Sequence, residues 1–142
     1  MLENETAILE FDCQNGNHLV IAMDNEYAYL VCRYGTMAGI ELEFPVEKTD
    51  AWKQFYYSYY FRAGGDMNEG LELNYLYFEN KDHKYVVYQN YYSQHPDMEY
   101  GIKIIDLETD METVIPAELK TVKGSLLPLR DHEMVQEGDK IF

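Results

Sequence analysis

The stretch FYYSYYF, residues 55–61, best indicates the fold, because six of its seven residues are aromatic. Aromatic residues favour strands, and successive side chains of a strand point to opposite faces of the sheet. Alternation therefore divides this region into two sets that face opposite ways, Phe55, Tyr57, Tyr59 and Phe61 on one side and Trp52, Tyr56 and Tyr60 on the other. Phenylalanine has no polar group to keep in water, so we expect the first set in the core and the second on the surface.

Two further stretches repeat this two-faced aromatic pattern, NYLYFE at residues 74–79 and YVVYQNYY at residues 85–92. We expect these strands to pair as neighbours with FYYSYYF in one sheet. Because each strand carries tyrosines on both faces, one face can fill the core while the other forms a tyrosine-rich patch.

Short runs of β-type residues recur along the chain, with turn residues between them. We predict strands near residues 6–13, 18–23, 27–34, 39–44, 52–62, 71–79, 84–92, 100–106, 111–115 and 119–123. The segment VEKTDAWKQ is the one predicted helical turn, with Thr49 or Asp50 as its cap. The pattern indicates an all-β protein, a single-domain antiparallel β-sandwich or half-open barrel of about nine or ten short strands over residues 1–142.

The stretch GIELEF predicts a strand with one buried face, since apolar and acidic residues alternate strictly in it. We expect Ile40, Leu42 and Phe44 to point into the core. Glu41 and Glu43 then point into solvent, where their carboxylates can meet a partner.

The charge of the chain limits the partners it can bind. It contains 26 Asp and Glu against 11 Lys and Arg, a net charge of −15. Nucleic acids and anionic membranes need cationic surfaces, so both are excluded, whereas metal cations or a basic protein remain possible. No apolar run approaches the ~20 residues of a membrane span, and the first residues lack the basic region and apolar core of a signal peptide. We therefore expect a cytoplasmic protein, or a periplasmic one if a signal peptide has been removed.

Cysteine and histidine spacing suggests one metal site, which we do not assign. If Asn15 and Gly16 close a two-residue hairpin, Cys13 lies opposite His18, and a short second turn places His18 opposite Cys32. The cysteines would then be about 9–10 Å apart on one face, too far for a disulfide within that sheet. The set lacks a fourth ligand. We expect two buried, reduced thiols, while a disulfide across two sheets stays open.

No motif of a known catalytic class occurs in the sequence: there is no nucleophile elbow, HExxH, P-loop or GxGxxG. The acidic segments DMNEG, PDME and DLETDMET do not have the spacing of an EF-hand loop, and we expect them to be solvated turns. A hydrolytic site assembled only in space from a histidine and an acid stays open. We assign no catalytic residue, metal or cofactor.

Tyrosine provides large contact area at low entropic cost and is enriched where proteins bind proteins. Beside the tyrosine-rich patch, we expect residues 63–70 to form a long, mobile, acidic loop. The candidate partner-binding residues are Trp52, Tyr56, Tyr60, Asp66, Glu69, Glu41 and Glu43.

The segments CRYGTMAGIELEFP, YLYFEN, YGIKIIDLET and KGSLLPLRD resemble a family of small bacterial all-β proteins over most of the chain, residues 13–131. That resemblance implies a fold class and no catalytic residues. Members of the family are often exported, whereas this chain shows no signal peptide. In size and charge the chain also resembles the acidic immunity proteins of bacterial toxin systems of the contact-dependent inhibition type.

The sequence thus favours a non-catalytic binding protein. Its most concrete form is an immunity protein that blocks the active site of a basic toxin nuclease with acidic and aromatic residues. An exported envelope domain is the alternative, and a small hydrolase is a third possibility.

Overall fold

The structure is a computed structural model that describes residues 2–36, 38–62, 70–93 and 95–138, and for residues 95–97 it describes the backbone only. Its strands are β1 (Glu5–Asp12), β2 (His18–Asp24), β3 (Leu30–Thr36), β4 (Gly39–Phe44), β5 (Tyr56–Arg62), β6 (Leu71–Asn80), β7 (His83–Tyr92), β8 (His95–Asp106), β9 (Glu112–Pro116), β10 (Lys123–Gly124) and β11 (Gln136–Glu137). One α-helical turn, α1, covers Leu127–Arg130, and two 3₁₀ turns cover Ala51–Gln54 and Leu119–Thr121. Among the described residues, no helix has the length and apolarity needed to cross a bilayer.

The strands form two sheets, as expected for an all-β sandwich. The five-stranded sheet is antiparallel in the order β10-β1-β2-β3-β4. The six-stranded sheet has the order β11-β5-β6-β7-β8-β9, in which consecutive strands from β5 to β9 pair antiparallel. It is mixed, because β11 joins the edge of β5 in parallel, through Gln136 beside Tyr56 and Glu137 beside Tyr57.

The inner faces of the two sheets meet in one apolar core, in which three phenylalanines link the sheets. Phe44 of the five-stranded sheet stacks on Phe78 of β6, with ring centroids 4.3 Å apart. Phe55 contacts both rings edge-on, at 5.6 and 5.4 Å, and is fully buried. Deleting such a ring costs ~3–5 kcal/mol, so the start of FYYSYYF is central to the packing of the sandwich.

The predicted neighbour relation of the three tyrosine-rich strands is confirmed. Tyr57 of β5 lies opposite Leu76 of β6, which in turn lies opposite Val87 of β7. Tyr75 and Tyr77 point away from this core and form a second cluster with Val86, Tyr88 and the half-buried Tyr56 on the outer face of the sheet.

The predicted faces of FYYSYYF are right for its first half and wrong for its second. Phe55 and Tyr57 belong to the core, but Tyr59 is 45% exposed and Phe61 is 65% exposed. This face of β5 is buried only as far as Tyr57, so the same face of the strand continues beyond the core. Alternation determines which side a residue faces, and the extent of the opposing layer determines whether that side is buried.

The prediction that Trp52 is exposed is wrong. The residues before β5 form a 3₁₀ turn instead of extending the strand, which removes Trp52 from the alternation. Its side chain is buried with 4% exposure. The helical turn itself was predicted, but Asp50 makes no side-chain capping bond and has left-handed backbone angles, with φ 57°.

The prediction that Ile40 is buried is also wrong. Tyr34 pairs with Leu42, but Gly35 pairs with Ile40, so Glu41 is an extra residue in β4. Such a bulge turns the strand beyond it. Phe44 and Leu42 still pack on the core, whereas Ile40 is exposed.

The predicted register of the first hairpin is off by one residue. Asp12 pairs with His18, and Cys13 donates its amide to Asn17 O, so the turn is longer than two residues. Cys32 lies opposite Ile21. The proposed alignment of both cysteines with His18 on one face therefore does not occur.

Candidate partner-binding surface

The structure separates the predicted binding residues instead of grouping them. Tyr56 and Tyr60 lie half-buried on the outer face of the six-stranded sheet. Glu41 and Glu43 lie on β4 in the other sheet. Asp66 and Glu69, with the predicted acidic loop, fall outside the described residues.

The tyrosines of the outer face are mostly covered. Tyr75, Tyr77 and Tyr88 are buried there, although they face away from the core. Lys84 lies over the ring of Tyr77 at 4.2 Å, and Lys103 lies 5.7 Å from the rings of Tyr75 and Tyr88. These lysines shield the rings through cation–π contacts, so this face offers little free aromatic area.

Glu43 takes part in a buried ionic network on the outer face of the five-stranded sheet. Arg33 donates to both carboxylate oxygens of Glu5, at 2.6 and 3.0 Å, and to Glu43 Oε1 at 2.5 Å. Lys48 donates to the other oxygen of Glu43 at 3.3 Å, and Tyr29 donates to Glu5 at 2.6 Å. The Glu43 carboxylate is therefore bound by side chains of the protein itself and is not free to meet a partner. Glu41 remains exposed, and its carboxylate accepts a hydrogen bond from Asn17.

A different surface combines exposed aromatic rings with free carboxylates. We define the aromatic–acidic surface by its six residues, Tyr27, Tyr59, Phe61, Asp131, Glu133 and Glu137. Tyr59 and Phe61 come from the part of β5 that extends beyond the core. The three acids come from the segment that follows Leu126 and ends at β11.

Buried anchors attach this C-terminal segment to the sheet. Leu126 and Leu129 are buried in the core. The side-chain oxygen of Gln89 in β7 accepts a hydrogen bond from the Leu126 amide at 2.7 Å, and its nitrogen donates to Ser125 Oγ at 2.9 Å. Because Gln89 is itself buried, these bonds fix α1 over the polar end of the inner face.

Arg130 joins α1 to the exposed part of β5. Its guanidinium lies over the ring of Tyr59, 4.3 Å from the centroid, and donates to Glu72 Oε1 at 2.5 Å. The Glu72 carboxylate neutralises the charge of Arg130.

Asp131, Glu133 and Glu137 are all exposed. Within the described part of the chain, none of the three forms an ion pair with a basic side chain. Unpaired carboxylates are well hydrated and cost nothing in isolation. Held together by one anchored segment, they form a fixed negative potential beside the exposed rings of β5.

Trp52 supports the opposite end of the surface. Its indole stacks on the His132 ring, with centroids 4.7 Å apart and planes 7° apart, and its Nε1 donates to Tyr27 O at 2.8 Å. The Tyr27 ring also contacts this histidine, with ring centroids 5.7 Å apart. Trp52 thus positions the surface from below without being part of it.

Three shallow grooves connect these residues. One of about 300 Å³ is lined by Tyr59 and all three acids. A second of about 440 Å³ shares Tyr59 and Glu137 with it and reaches Phe61. A third of about 470 Å³ shares Asp131 and Glu133 and reaches Tyr27. The six residues therefore form one continuous surface.

Three of the four histidines, His18, His83 and His132, have described side chains, and they contact acids, backbone groups or aromatic rings. His18 directs Nδ1 to Asp12 at 2.7 Å and Nε2 to Glu10 at 3.3 Å, so both ring nitrogens face carboxylates and neither faces a nucleophile. His132 Nδ1 accepts the Met134 amide, and His83 Nδ1 lies 3.0 Å from Lys81 O. No cluster of His, Cys, Asp and Glu within the described ranges could hold a metal ion.

Both cysteines are buried as free thiols. Burial raises the pKa of Cys13 to about 11, and the neighbouring Asp12 adds to the rise. Burial likewise raises the pKa of Cys32 to about 12. Both groups are therefore protonated at neutral pH, and neither has the thiolate character of a nucleophile or a metal ligand.

The sequence does contain a signal for the surface that alternation missed. KGSLLPLRDHEM places apolar leucines, which can anchor a segment in a core, just before acids that can stay exposed. Its position beside Tyr59 depends on contacts between residues 58 positions apart, such as Arg130 with Glu72.

Comparison with protein-family models, with curated proteins and with solved structures finds no match to this chain.

Proposed function

We propose that this chain is a non-catalytic binding protein that recognises a basic protein through the aromatic–acidic surface. The main observation behind this proposal is the composition of the aromatic–acidic surface. Two aromatic side chains, Tyr59 and Phe61, are exposed beside three carboxylates that have no basic partner in the described part of the chain, Asp131, Glu133 and Glu137.

The aromatic residues supply the short-range part of recognition. Exposed aromatic rings in a fixed position lose little entropy on binding and dominate the energetics of many interfaces. Tyr59 is held by Arg130 on one face, so its edge and hydroxyl are presented to a partner in one orientation. Phe61 is not a member of the core cluster, and its ring is exposed to solvent.

The carboxylates supply the long-range part. A net charge of −15 attracts a cationic partner before contact, and the local carboxylates orient it. Lys84 and Lys103 lie over tyrosine rings on the outer face of the sheet. Arg130 at this surface is paired with Glu72, and none of the three acids pairs with a basic side chain in the described part of the chain, so a partner rich in lysine or arginine can bind them.

The most concrete form of this function is inhibition of a basic nuclease, as an immunity protein does for a toxin. A nuclease active site is lined by cations that contact successive phosphates. Asp131, Glu133 and Glu137 present carboxylates along one surface, which can occupy such cations in place of phosphates.

The test uses the product of the open reading frame that adjoins this chain's own as the partner. Its nuclease activity should be inhibited by the wild-type chain. Inhibition should weaken at least about tenfold in the triple variant D131N/E133Q/E137Q, because several charge-assisted contacts are lost together.

The matched control is E108Q/D110N/E118Q. It changes the net charge by the same amount, at exposed positions beyond β8 and β9 on the far edge of the six-stranded sheet. Equal loss of inhibition in both variants would mean that charge acts without a defined site. Full inhibition by the first variant would show that the interface lies elsewhere.

A further inference from the structure

We infer that the exposed edge of β5 accepts an extended segment of the basic partner as an additional strand, alongside Tyr59 and Phe61. This inference rests on the proposed function and specifies how the partner binds. It is argued from the direction of backbone groups in β5, from the groove beside them and from the charge around them.

The backbone of β5 has two edges that can form hydrogen bonds with a neighbouring strand. Only the edge toward β6 is paired along the whole strand. The amide of Gly138 donates to Tyr57 O at 2.8 Å, so the polar backbone groups of Tyr57 point toward β11. Because direction alternates along a strand, those of Tyr59 and Phe61 point the same way. Tyr56, Ser58 and Tyr60 point toward β6.

The covering strand ends before the exposed part of β5. β11 pairs only with Tyr56 and Tyr57, and no other described strand pairs with that edge. β6 accompanies β5 on its other side as far as Arg62. Among the residues that the structure describes, none pairs with the amides and carbonyls of Tyr59 and Phe61 on this edge, while β6 supports the strand from the other side. This is the geometry that accepts an added strand.

A groove runs along this edge. It has a volume of about 440 Å³ and is lined by residues 57–61 of β5 with Glu137 and Gly138 at its end. The exposed rings of Tyr59 and Phe61 project on the inner side of the strand, while Tyr60 projects on the outer side. An added strand would gain backbone hydrogen bonds from the edge and apolar contact from the rings.

Charge selects a basic segment over a second copy of this chain. Glu137 lies at the mouth of the groove, and Asp131 and Glu133 line the adjoining one. Pairing between two copies would bring these carboxylates together in chains that each carry −15. Like charges at an interface repel, whereas lysines on alternate positions of a partner strand would face the acids.

The test measures amide hydrogen exchange of the full chain by NMR, free and with a short peptide of alternating lysine and valine. In the free protein, we expect fast exchange at Tyr59 and Phe61 and slow exchange at Ser58, whose amide faces β6. The peptide should slow exchange at Tyr59 and Phe61 by at least about tenfold, the effect of one or two net backbone hydrogen bonds.

Two controls remove backbone donors without changing charge. A peptide with the same side chains, N-methylated at its central residues, should bind about tenfold or more weakly, because it cannot pair with either edge. In the protein, Phe61→Pro removes an edge donor that β6 does not use, and Phe61→Ala removes only the ring. If strand addition occurs, Phe61→Pro weakens peptide binding more than Phe61→Ala does. If Phe61→Pro fails to fold, the binding of the unmodified and the N-methylated peptide to the wild-type chain still tests strand addition.

The outcomes distinguish the inference from the proposed function. Peptide binding that needs Asp131, Glu133 and Glu137 but leaves exchange at Tyr59 and Phe61 unchanged overturns strand addition and supports the acidic surface. Protection at Tyr59 and Phe61 that persists in D131N/E133Q/E137Q supports strand addition and contradicts the charge-based function. Slow exchange at both amides in the free protein shows that the edge is already occupied, and protection that rises with protein concentration identifies a second copy. Either result overturns the inference.

Discussion

Glu5 shows how one side chain links the charge of this protein to its stability. Its carboxylate is buried and accepts two hydrogen bonds from Arg33 and one from Tyr29. The bonds from Arg33, only partly offset by burial, lower the pKa of Glu5 from its ordinary value of 4.5 to about 2. The folded state therefore binds fewer protons at Glu5 than the unfolded state does between these two values.

A depressed pKa in the folded state gives a contribution to stability that is fully present above pH 4.5 and is lost as the pH falls through about 2. We expect wild-type protein to be more stable than Glu5→Gln at neutral pH. The gap should narrow as the pH falls from 4.5 toward 2, since protonated Glu5 resembles glutamine. Urea unfolding across this range measures the gap. Glu3→Gln, at an exposed position nearby, should change stability by no more than ~0.5 kcal/mol. A gap that stays constant down to pH 2 would contradict the assigned role of Arg33.

The two thiols give a second prediction. Because burial raises the pKa of both Cys13 and Cys32, neither is a thiolate near neutral pH. We expect iodoacetamide at pH 8 to leave the folded protein unmodified and to add two groups in denaturant without reductant. Mass spectrometry counts the additions. An unmodified mass in denaturant would indicate a disulfide and thus favour the exported alternative.

At the scale of the element, β5 combines two environments in seven residues. Its beginning belongs to the core between the two sheets. Its end contacts α1 and carries the exposed rings of Tyr59 and Phe61. The residue set Phe55, Tyr57, Tyr59 and Phe61 faces one direction throughout, yet only the first two are buried. The exposed half is where the candidate surface lies.

The two phenylalanines that bound FYYSYYF make a matched pair. Phe55→Ala should destabilise the protein by ~3–5 kcal/mol, because its ring fills the core between Phe44 and Phe78. Phe61→Ala should change stability by no more than ~0.5 kcal/mol, since most of its ring is exposed. Thermal unfolding of both variants provides the measurement. If both variants lost a similar amount of stability, both rings would be buried, as alternation alone predicts.

Irregular elements explain the other differences from the expected burial. The 3₁₀ turn at Ala51–Gln54 turns Trp52 inward, and the bulge at Glu41 turns Ile40 outward. Each shifts the alternation by a local change of backbone geometry that the apolar–polar pattern does not encode.

At the scale of the whole molecule, charge is the dominant property. Of the acids, Glu5 and Glu43 are bound internally to Arg33, while those of the aromatic–acidic surface are free among the described residues. The negative potential at this surface is therefore available to a partner and is not consumed by folding.

Association with a basic peptide should accordingly depend on salt. We expect the on-rate to fall steeply between about 50 and 500 mM salt, as the Debye length shortens from the ~10 Å of 0.1 M salt. Stopped-flow mixing measures it. D131N/E133Q/E137Q should lose more of this dependence than E108Q/D110N/E118Q, although both carry the same net charge. An on-rate independent of salt would remove the electrostatic part of the proposal and leave the contacts of Tyr59 and Phe61 intact.

The fold class and most strand positions were predictable from local patterns. The tyrosine-rich strands β5, β6 and β7 have strong β propensity, and they pair as expected because strands that are consecutive in the chain usually lie side by side. The first hairpin was predicted with the wrong register, because its turn is longer than the Asn15–Gly16 signal implies. Turn length depends on bonds such as that from Cys13 to Asn17, which composition does not indicate.

What the sequence determined by itself is the class of the protein: an all-β chain, strongly acidic, with alternating aromatic strands and without a catalytic motif. These properties depend on composition and on contacts between near neighbours. The tertiary structure alone decided that Trp52 is a buried support and that Tyr59 and Phe61 are exposed. It also decided that the acids of the C-terminal segment lie beside β5. The reason is physical: burial depends on how far an opposing layer extends, and a surface depends on residues brought together across the chain, and neither is encoded in the period of one strand.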